Sequence, residues 1–368
     1  MLPRSNIMSQ LLINLAVVFS KPTGISNYAL NLFPYLKSLN PTLLAAQNYA
    51  DFDCYSIPDN LTPAQGSKGH FHRLIWTQFE LPQIYQKLAS KLVFSPIPEA
   101  PLYTNCRYIV QVHDLIPLRF PNLRSPLFHF YRYYVPQILE QAQHIVCNSQ
   151  STARDIAEFY GISAHKITPI LLAYDASHFR PIESSSGSYF LYLGRQDPYK
   201  NLQRLLEAFA ALVKKTNGDC KECSLWFAGP TDKRFTPTLQ VQIEELGISK
   251  QVKFLDYVAY SELPKIINNA VALVFPSLWE GFGFPVLEAM ACGTPVITSN
   301  LSSLPEIALD AAILINPYNT AEITAAMEQI VNDSAMREQL SKRGLERAKQ
   351  FSWEKTGLRT LEVIKDFL

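Results

Sequence analysis

The chain has 368 residues, a length that favours two domains. Hydrophobic residues make up 48% and charged residues 18%, which supplies material for cores and excludes a disordered chain. Lysine plus arginine number 33 and aspartate plus glutamate 32, a formal net charge of +1 that gives no global case for nucleic-acid binding.

The first apolar run, Leu11 to Phe19, is interrupted by Asn14. It is shorter than the roughly 20 apolar residues that span a bilayer. A single preceding arginine, Arg4, and no small-residue cleavage pattern do not make a signal peptide. A buried strand over 11–18 and a soluble, cytoplasmic protein are the expectations. The stretch PTGISNYALNLFPYL (22–36) then passes into a helix expected over 26–38. Gly24 permits a tight turn there, and the free amides of a helix start can receive an anion. A plain turn is the alternative.

The polar stretch 51–70 reads as a loop, followed by a helix over 79–89. KLVFS (91–95), YIVQVH (108–113) and HIVCNS (144–149) are unbroken and rich in β-branched residues, as strands buried on both faces are. The second ends in VHDLIP, which puts His113 and Asp114 at a strand exit. His113 either exchanges a proton or hydrogen bond near neutral pH, or is a satisfied structural residue with Asp114 capping the next turn. Helices are expected over 129–142 and 151–160, the latter capped by Ser149 or Ser151. KITPILLAYD (166–175) reads as one more strand. HFRPIESSSGS (178–188) loses all periodicity and reads as an interdomain linker.

The same alternation restarts. Strands are expected at 189–194, 224–229, 252–256, 271–277, 294–299 and 311–315. Helices are expected at 201–215, 236–246, 261–270, 286–292, 320–332, 334–348 and 352–367. This predicts two successive doubly wound α/β domains, 1–180 and 189–350, followed by a terminal helical segment, 351–368. The default ligand site of such a pair is a cleft at the carboxyl ends of the strands.

Of six cysteines, only Cys220 and Cys223 form a CxxC pair. A zinc site wants a second pair or suitably spaced histidines, so free thiols are expected. In LGRQDPYKNLQRLLEAF (193–209), Arg195 and Lys200 bracket a short loop between a strand and a helix, a cradle suited to a diphosphate. It is not a Walker loop, and no GxGxxG follows either first strand, so no nicotinamide or flavin cofactor is argued. LWEGFGFPVLEAMACGTPVI (278–297) places Glu280 and Glu288 on either side of Gly281, Phe282, Gly283, Phe284 and Pro285. The glycines let a ligand approach the backbone, Pro285 suits a helix start, and Glu288 is expected on the first turn of that helix. Paired acid chemistry, a metal site, or two carboxylates gripping hydroxyls of one ligand all remain open.

These motifs resemble retaining nucleotide-sugar-dependent glycosyltransferases of family 4, which have the GT-B architecture of two Rossmann-like domains facing across a cleft. EGFGFPVLEAMACGTPVI is similar to the family's Glu-x7-Glu signature, GRQDPYKN to its basic loop, VHDLIP to its histidine strand end, PTGISNY to its glycine loop and NSQSTARDIAEFYGI (148–162) to its serine-led helix. The resemblance implies that Arg195 and Lys200 hold the donor diphosphate, that Glu280 holds the transferred sugar and that Glu288 binds the ribose. It implies backbone contacts from Gly24 and Ile25 and from the Gly281–Phe282–Gly283 loop, with His113 beside the sugar. It implies hexosyl transfer to a glycan or lipid-linked hydroxyl without a metal or other cofactor, and a C-terminal helix, 351–368, that packs back on the N-terminal domain. HDLIPLRFP leans toward GDP-mannose, with UDP-hexose donors open. PLFHFYRYYVPQ (126–137) either joins an acceptor site or packs. A peripheral membrane contact at the inner face is implied, although no strong basic amphipathic helix is evident in the first domain. The alternatives are an epimerase or phosphorylase on the same fold, or a silent nucleotide-sugar-binding subunit.

Overall fold

In a computed structural model, the described residues are 10–19, 24–182, 189–215 and 224–368. They fall into two compact units, Met1–Ala173 with Trp353–Leu368, and Tyr174–Ser352. Pro22, Thr23, residues 183–188 of the expected linker, and Cys220 and Cys223 lie outside the described residues.

The first unit holds an all-parallel seven-stranded sheet of order β3-β2-β1-β4-β5-β6-β7. Its strands are β1 Leu11–Asn14, β2 Thr42–Ala45, β3 Asp53–Ser56, β4 Leu92–Ser95, β5 Tyr108–Val112, β6 His144–Cys147 and β7 Ile167–Pro169. All but the edge strands β3 and β7 are buried along their whole length, which explains why they read as unbroken apolar runs. The chain order reverses around β1, which lies between β2 and β4, so the switch point of this sheet is at the carboxyl ends of β1 and β4.

The stretch 51–70 is not a loop. It contains β3 and the first turn of a helix, Gly66–Lys87, that begins well before the expected 79. β3 is a half-exposed edge strand of sequence DCYS, so it lacks the apolar signal of its neighbours. The helix start is disguised by glycines. Gly69 is required because a Cβ there would stand 2.2 Å from the Thr62 carbonyl oxygen. The helix expected over 26–38 is α-helical only over Gly24–Leu32 and continues as a 3₁₀ segment, Phe33–Leu39, around Pro34. The one expected over 129–142 is broken into Pro126–His129, a π-turn Phe130–Tyr134 and Val135–Gln141, with Pro136 near the start of the last piece. β7 is also shorter than the strand expected over 166–175.

The final helix, Trp353–Lys365, packs in the first unit. Thr356 donates to the Leu171 carbonyl at 2.8 Å. A Cβ on Gly357 would stand 2.4 Å from Tyr35, so glycine sets how closely the helix seats.

The second unit follows the sequence expectation closely. Its parallel six-stranded sheet has the order β10-β9-β8-β11-β12-β13. The strands are β8 Tyr189–Leu193, β9 Ser224–Ala228, β10 Val252–Phe254, β11 Ala272–Phe275, β12 Val296–Ser299 and β13 Ile313–Ile315. β8 pairs directly with β11, with Phe190 opposite Ala272. The switch point therefore lies between them, and the segments leaving β8 and β11 emerge side by side.

Candidate active site

Two of the sequence motifs leave the sheet at that switch point. After β8, Gly194 adopts φ +146° and Gly229, one step past β9, adopts φ +144°. The two backbones touch: a Cβ on Gly229 would lie 2.1 Å from the Gly194 carbonyl oxygen. This contact fixes where Arg195 departs. A 3₁₀ turn, Pro198–Lys200, ends at Asn201 in a left-handed conformation, φ +63°. The buried Asn201 amide donates to the carbonyls of Pro276 at 3.2 Å and Pro317 at 2.7 Å. The Leu278 amide donates to the Tyr199 carbonyl at 2.8 Å. The loops after β8 and β11 are thereby tied together.

The result is a close ion pair. Lys200 Nζ lies 2.6 Å from Glu280 Oε1, with side chains only 11% and 12% exposed. The ammonium also stands 5.0 Å from the Tyr199 ring and 5.3 Å from the Phe275 ring, so aromatic faces share its stabilisation. Removing one member would leave the other charge unpaired in a poorly hydrated place.

The Glu280–Gly283 loop is pinned by two serines that local sequence reading does not identify. Ser302 Oγ accepts from the Glu280 amide at 3.0 Å. Ser303 Oγ donates to the Glu280 carbonyl at 3.0 Å and also to the Phe282 carbonyl. Their only local signal is a Ser-Ser pair just past β12. Gly283, at φ +126°, leads into the helix Phe284–Ala291, where Pro285 takes the expected early position. Phe282 is 3% exposed and packs edge-on against Phe284 and Phe351, so it offers a ligand its backbone rather than its ring.

Glu288 lies one turn deeper than expected, because the helix begins at Phe284 and has no acid in its first turn. Its carboxyl is half-buried, and among the described residues it makes no hydrogen bond or ion pair. Burial pushes it up to about 7. Tyr260 lies close enough to Glu288 and Asp175 that, after burial, both carboxylates raise its hydroxyl further. The Tyr260 ring stacks on His178 at 3.9 Å.

The sign of the Glu288 effect is testable. An acid whose folded value is raised binds more protons folded than unfolded, so stability falls as pH rises from about 4.5 towards about 7. Glu288→Gln removes the cost of the buried negative charge. The variant is therefore expected to gain melting temperature relative to the parent at pH 8 and to show little difference at pH 5. A difference independent of pH in thermal scans would contradict this reading.

Arg195 is 65% exposed, and its Nε lies 3.0 Å from Asp197 Oδ2. Arg234, which the sequence did not single out, sits 4.0 Å from Asp197 and forms a two-pronged pair with Asp232 at 2.6 and 2.9 Å. Arg195 and Arg234 thus share the Asp197 carboxylate. The signal for Arg234 is its place in PTDKRF, the segment that follows Gly229.

The remaining expected residues belong to the first unit. Gly24 is the first residue of its helix and exposed, and a Cβ there would meet nothing within 4 Å. Ile25 follows it, partly buried. His113 leaves β5 with Nε2 2.8 Å from the Pro96 carbonyl and Nδ1 3.3 Å from the Asn148 amide nitrogen. Burial lowers it to about 4, so the ring is neutral near neutral pH rather than titrating there. Asp114 does cap the next turn, accepting from the Ile116 amide at 3.0 Å.

Among the described residues, no group of three or more histidines, cysteines or acids is placed to hold a metal ion, and no helix is long and apolar enough to cross a membrane. Cations and carboxylates side by side over a Rossmann switch point form an arrangement able to grip an anionic, hydroxyl-rich ligand.

Comparison with known proteins narrows this. Residues 22–178 match the model of Glycosyltransferase Family 4, and residues 175–347 match that of Glycosyl transferases group 1. The O-antigen chain mannosyltransferase B of Escherichia coli is 32% identical over 243 residues, 66% of this chain and 58% of that protein. The O-antigen chain mannosyltransferase RfbU of Salmonella typhimurium is 25% identical over 332 residues, 87% of this chain and 90% of that protein. A sucrose-phosphate synthase from Thermosynechococcus elongatus superposes with a TM-score of 0.75 at 18% identity, over 97% of this chain and 98% of that one. The chain belongs to the family 4 glycosyltransferases and has the GT-B fold.

Proposed function

We propose that the protein transfers a hexosyl group, mannosyl from GDP-mannose in preference to UDP-hexoses, to a hydroxyl of a glycan or lipid-linked acceptor with retention at the anomeric carbon. The observation that carries this is the Lys200–Glu280 pair, which sets a cation beside a hydroxyl-binding carboxylate at the switch point of the second unit. The mannosyl preference is supported by the two O-antigen mannosyltransferases.

In this reading Lys200 and Arg195 meet the donor diphosphate, with the amides of Gly24 and Ile25 adding contacts. Glu280 holds hydroxyls of the transferred sugar, and Glu288 holds the ribose. The Gly281–Phe282–Gly283 backbone lines the donor, and neutral His113 sits by the sugar. The bond from the anomeric carbon to the phosphate oxygen breaks, the acceptor oxygen bonds to the same face, and its proton passes to the leaving phosphate oxygen. Lys200 and Arg195 stabilise the charge that accumulates there without a metal. The test is a screen of nucleotide sugars by binding and slow donor hydrolysis, with and without a chelator. GDP-mannose is expected to bind and turn over in both. Turnover only after adding Mg²⁺ or Mn²⁺ would sink the metal-free reading. A product that is an epimerised donor, or tight binding without turnover to any acceptor, would favour the rival readings.

The acceptor side is assigned to the first unit, at the inner face of a membrane. On the helix Gly66–Lys87, Phe71, Ile75 and Phe79 recur every four residues and are 61%, 44% and 63% exposed. Lys68 and His72 are exposed beside them. Apolar outward residues beside a lysine and a histidine fit a lipid surface. The protein is expected to co-float with phosphatidylglycerol vesicles, and a Phe71→Ser, Phe79→Ser variant to lose about tenfold or more of that binding. Equal flotation of both proteins would refute the contact.

A further inference from the structure

A buried polar chain runs through the first unit and ends on His113. Tyr28 Oη donates to Gln111 Oε1 at 2.9 Å, and Gln111 Nε2 donates to Asn148 Oδ1 at 2.6 Å. Asn148 Nδ2 then lies 3.0 Å from the His113 carbonyl oxygen and 3.3 Å from its ring Nδ1. On the other side of the ring, Nε2 is 2.8 Å from the Pro96 carbonyl oxygen. Tyr28, Gln111 and Asn148 are only 1%, 0% and 4% exposed, so the chain is screened from bulk solvent. The links come from the helix Gly24–Leu32, from β5, from the residue after β6 and from the segment after β4.

The direction of every bond in this chain is fixed by its ends. A carbonyl only accepts, so His113 Nε2 carries the proton that Pro96 receives. The His113 carbonyl likewise only accepts, so Asn148 must turn its amide nitrogen toward it. Reversing Asn148 would set two oxygens against each other and leave Gln111 facing the wrong group. Each unpaired buried partner would be costly, so the orientations lock one another. The Tyr28 ring also packs edge-on against the His113 ring, with centroids 5.1 Å apart.

The titratable groups on the surrounding elements do not compete for this ring. Asp114 caps Ile116, and Glu99, in the segment after β4, is paired with Arg73 at 2.7 and 2.8 Å. Tyr28 is pushed far up by burial and then by Cys147, the titratable residue at the end of β6. Glu354 and Lys355, beside the Trp353 that touches Tyr28, are exposed.

We infer that Tyr28, Gln111 and Asn148 are positioning residues that hold His113 in one tautomer and one orientation where it meets the transferred sugar, and that His113 takes no part in proton transfer. The inference rests on the proposed function only in placing the sugar beside His113. It goes beyond it in naming the residues that set the state of the ring.

The test has two arms. In the first, protein labelled with ¹⁵N-histidine is followed by NMR from pH 5 to 8. The parent is expected to show His113 uncharged with the proton on Nε2 throughout. Asn148→Asp keeps an acceptor for Gln111 and sets its second carboxylate oxygen against both Nδ1 and the His113 carbonyl oxygen, so a proton on Nδ1 is what gives that oxygen a partner, and His113 is expected to take this second proton and titrate within that range. In the second arm, kcat and KM for donor turnover are measured over the same range. Asn148→Asp is expected to gain a histidine-type step that the parent lacks. Tyr28→Phe, the milder change, is expected to lower kcat about 2–10-fold with little change in KM. A parent His113 that titrates normally, or carries its proton on Nδ1, would overturn the inference. So would an Asn148→Asp variant whose pH profile matches the parent. If no nucleotide sugar is turned over at all, the proposed function fails, while the spectra still decide whether the network sets the ring.

Discussion

Lys200→Ala is expected to lower kcat by about 10²–10³-fold, the usual cost of losing one group that stabilises developing charge. The fall should appear in kcat and kcat/KM together, because the proposed interaction with the departing diphosphate would be strongest in the transition state. Lys200 is held by Glu280 at 2.6 Å, which fixes the position of the ammonium. The same geometry makes the substitution doubly costly, since it strands the Glu280 carboxylate at 12% exposure. Steady-state kinetics at saturating donor decide the point. A variant with parental kcat would remove Lys200 from the chemistry. A higher KM alone would reduce it to a general binding contact.

The second large effect is expected at Gly229, which lies outside the residues proposed to bind the donor. Gly229→Ala places a Cβ 2.1 Å from the Gly194 carbonyl oxygen, at a residue whose φ of +144° already disfavours a side chain. Backbone cannot swing aside as a side chain can, and Gly194 is anchored by the hydrogen bond its N–H donates to the Ala228 carbonyl at 2.9 Å. The cost is expected to be about 3 kcal/mol or more. For a unit of this size that is roughly 6–12 °C in melting temperature. Gly247→Ala is the control. Its φ is +69°, but nothing lies within 4 Å of the added Cβ, so it carries the conformational cost alone. Equal destabilisation of the two variants in thermal unfolding would show that the close approach is not what the glycine serves. Any Gly229→Ala protein that folds should also bind the donor less well, because Arg195 departs from Gly194.

Several features were visible in the residue pattern alone. The second unit reads almost element for element, because its buried strands are unbroken apolar runs and its helices have regular apolar spacing. The first unit reads less well where composition misleads. β3 is short, polar and half-exposed, and the helix Gly66–Lys87 starts among glycines and histidines. Reading 51–70 as a loop hid Phe71 and Ile75 from the helix that carries them, which is why no amphipathic surface was evident there. Arg195, Lys200, Glu280 and Glu288 were legible as candidates because each follows the exit of a strongly apolar strand. Arg234, Ser302 and Ser303 were not, since they gain meaning only from what they touch.

The sequence by itself determined the two Rossmann-like halves, the strand exits that carry charge, and the glycine-containing loop between the two glutamates. These follow from local periodicity and from residue types that act within a few positions. Only the tertiary structure decided that Lys200 meets a glutamate 80 residues away, that two serines clamp the loop between the glutamates, and that both nitrogens of His113 are already engaged. Strand order makes these contacts: β8 lies beside β11, and β5 lies beside β4 and β6. That order is set by how whole units pack their helices on their sheets, and no window of neighbouring residues encodes it.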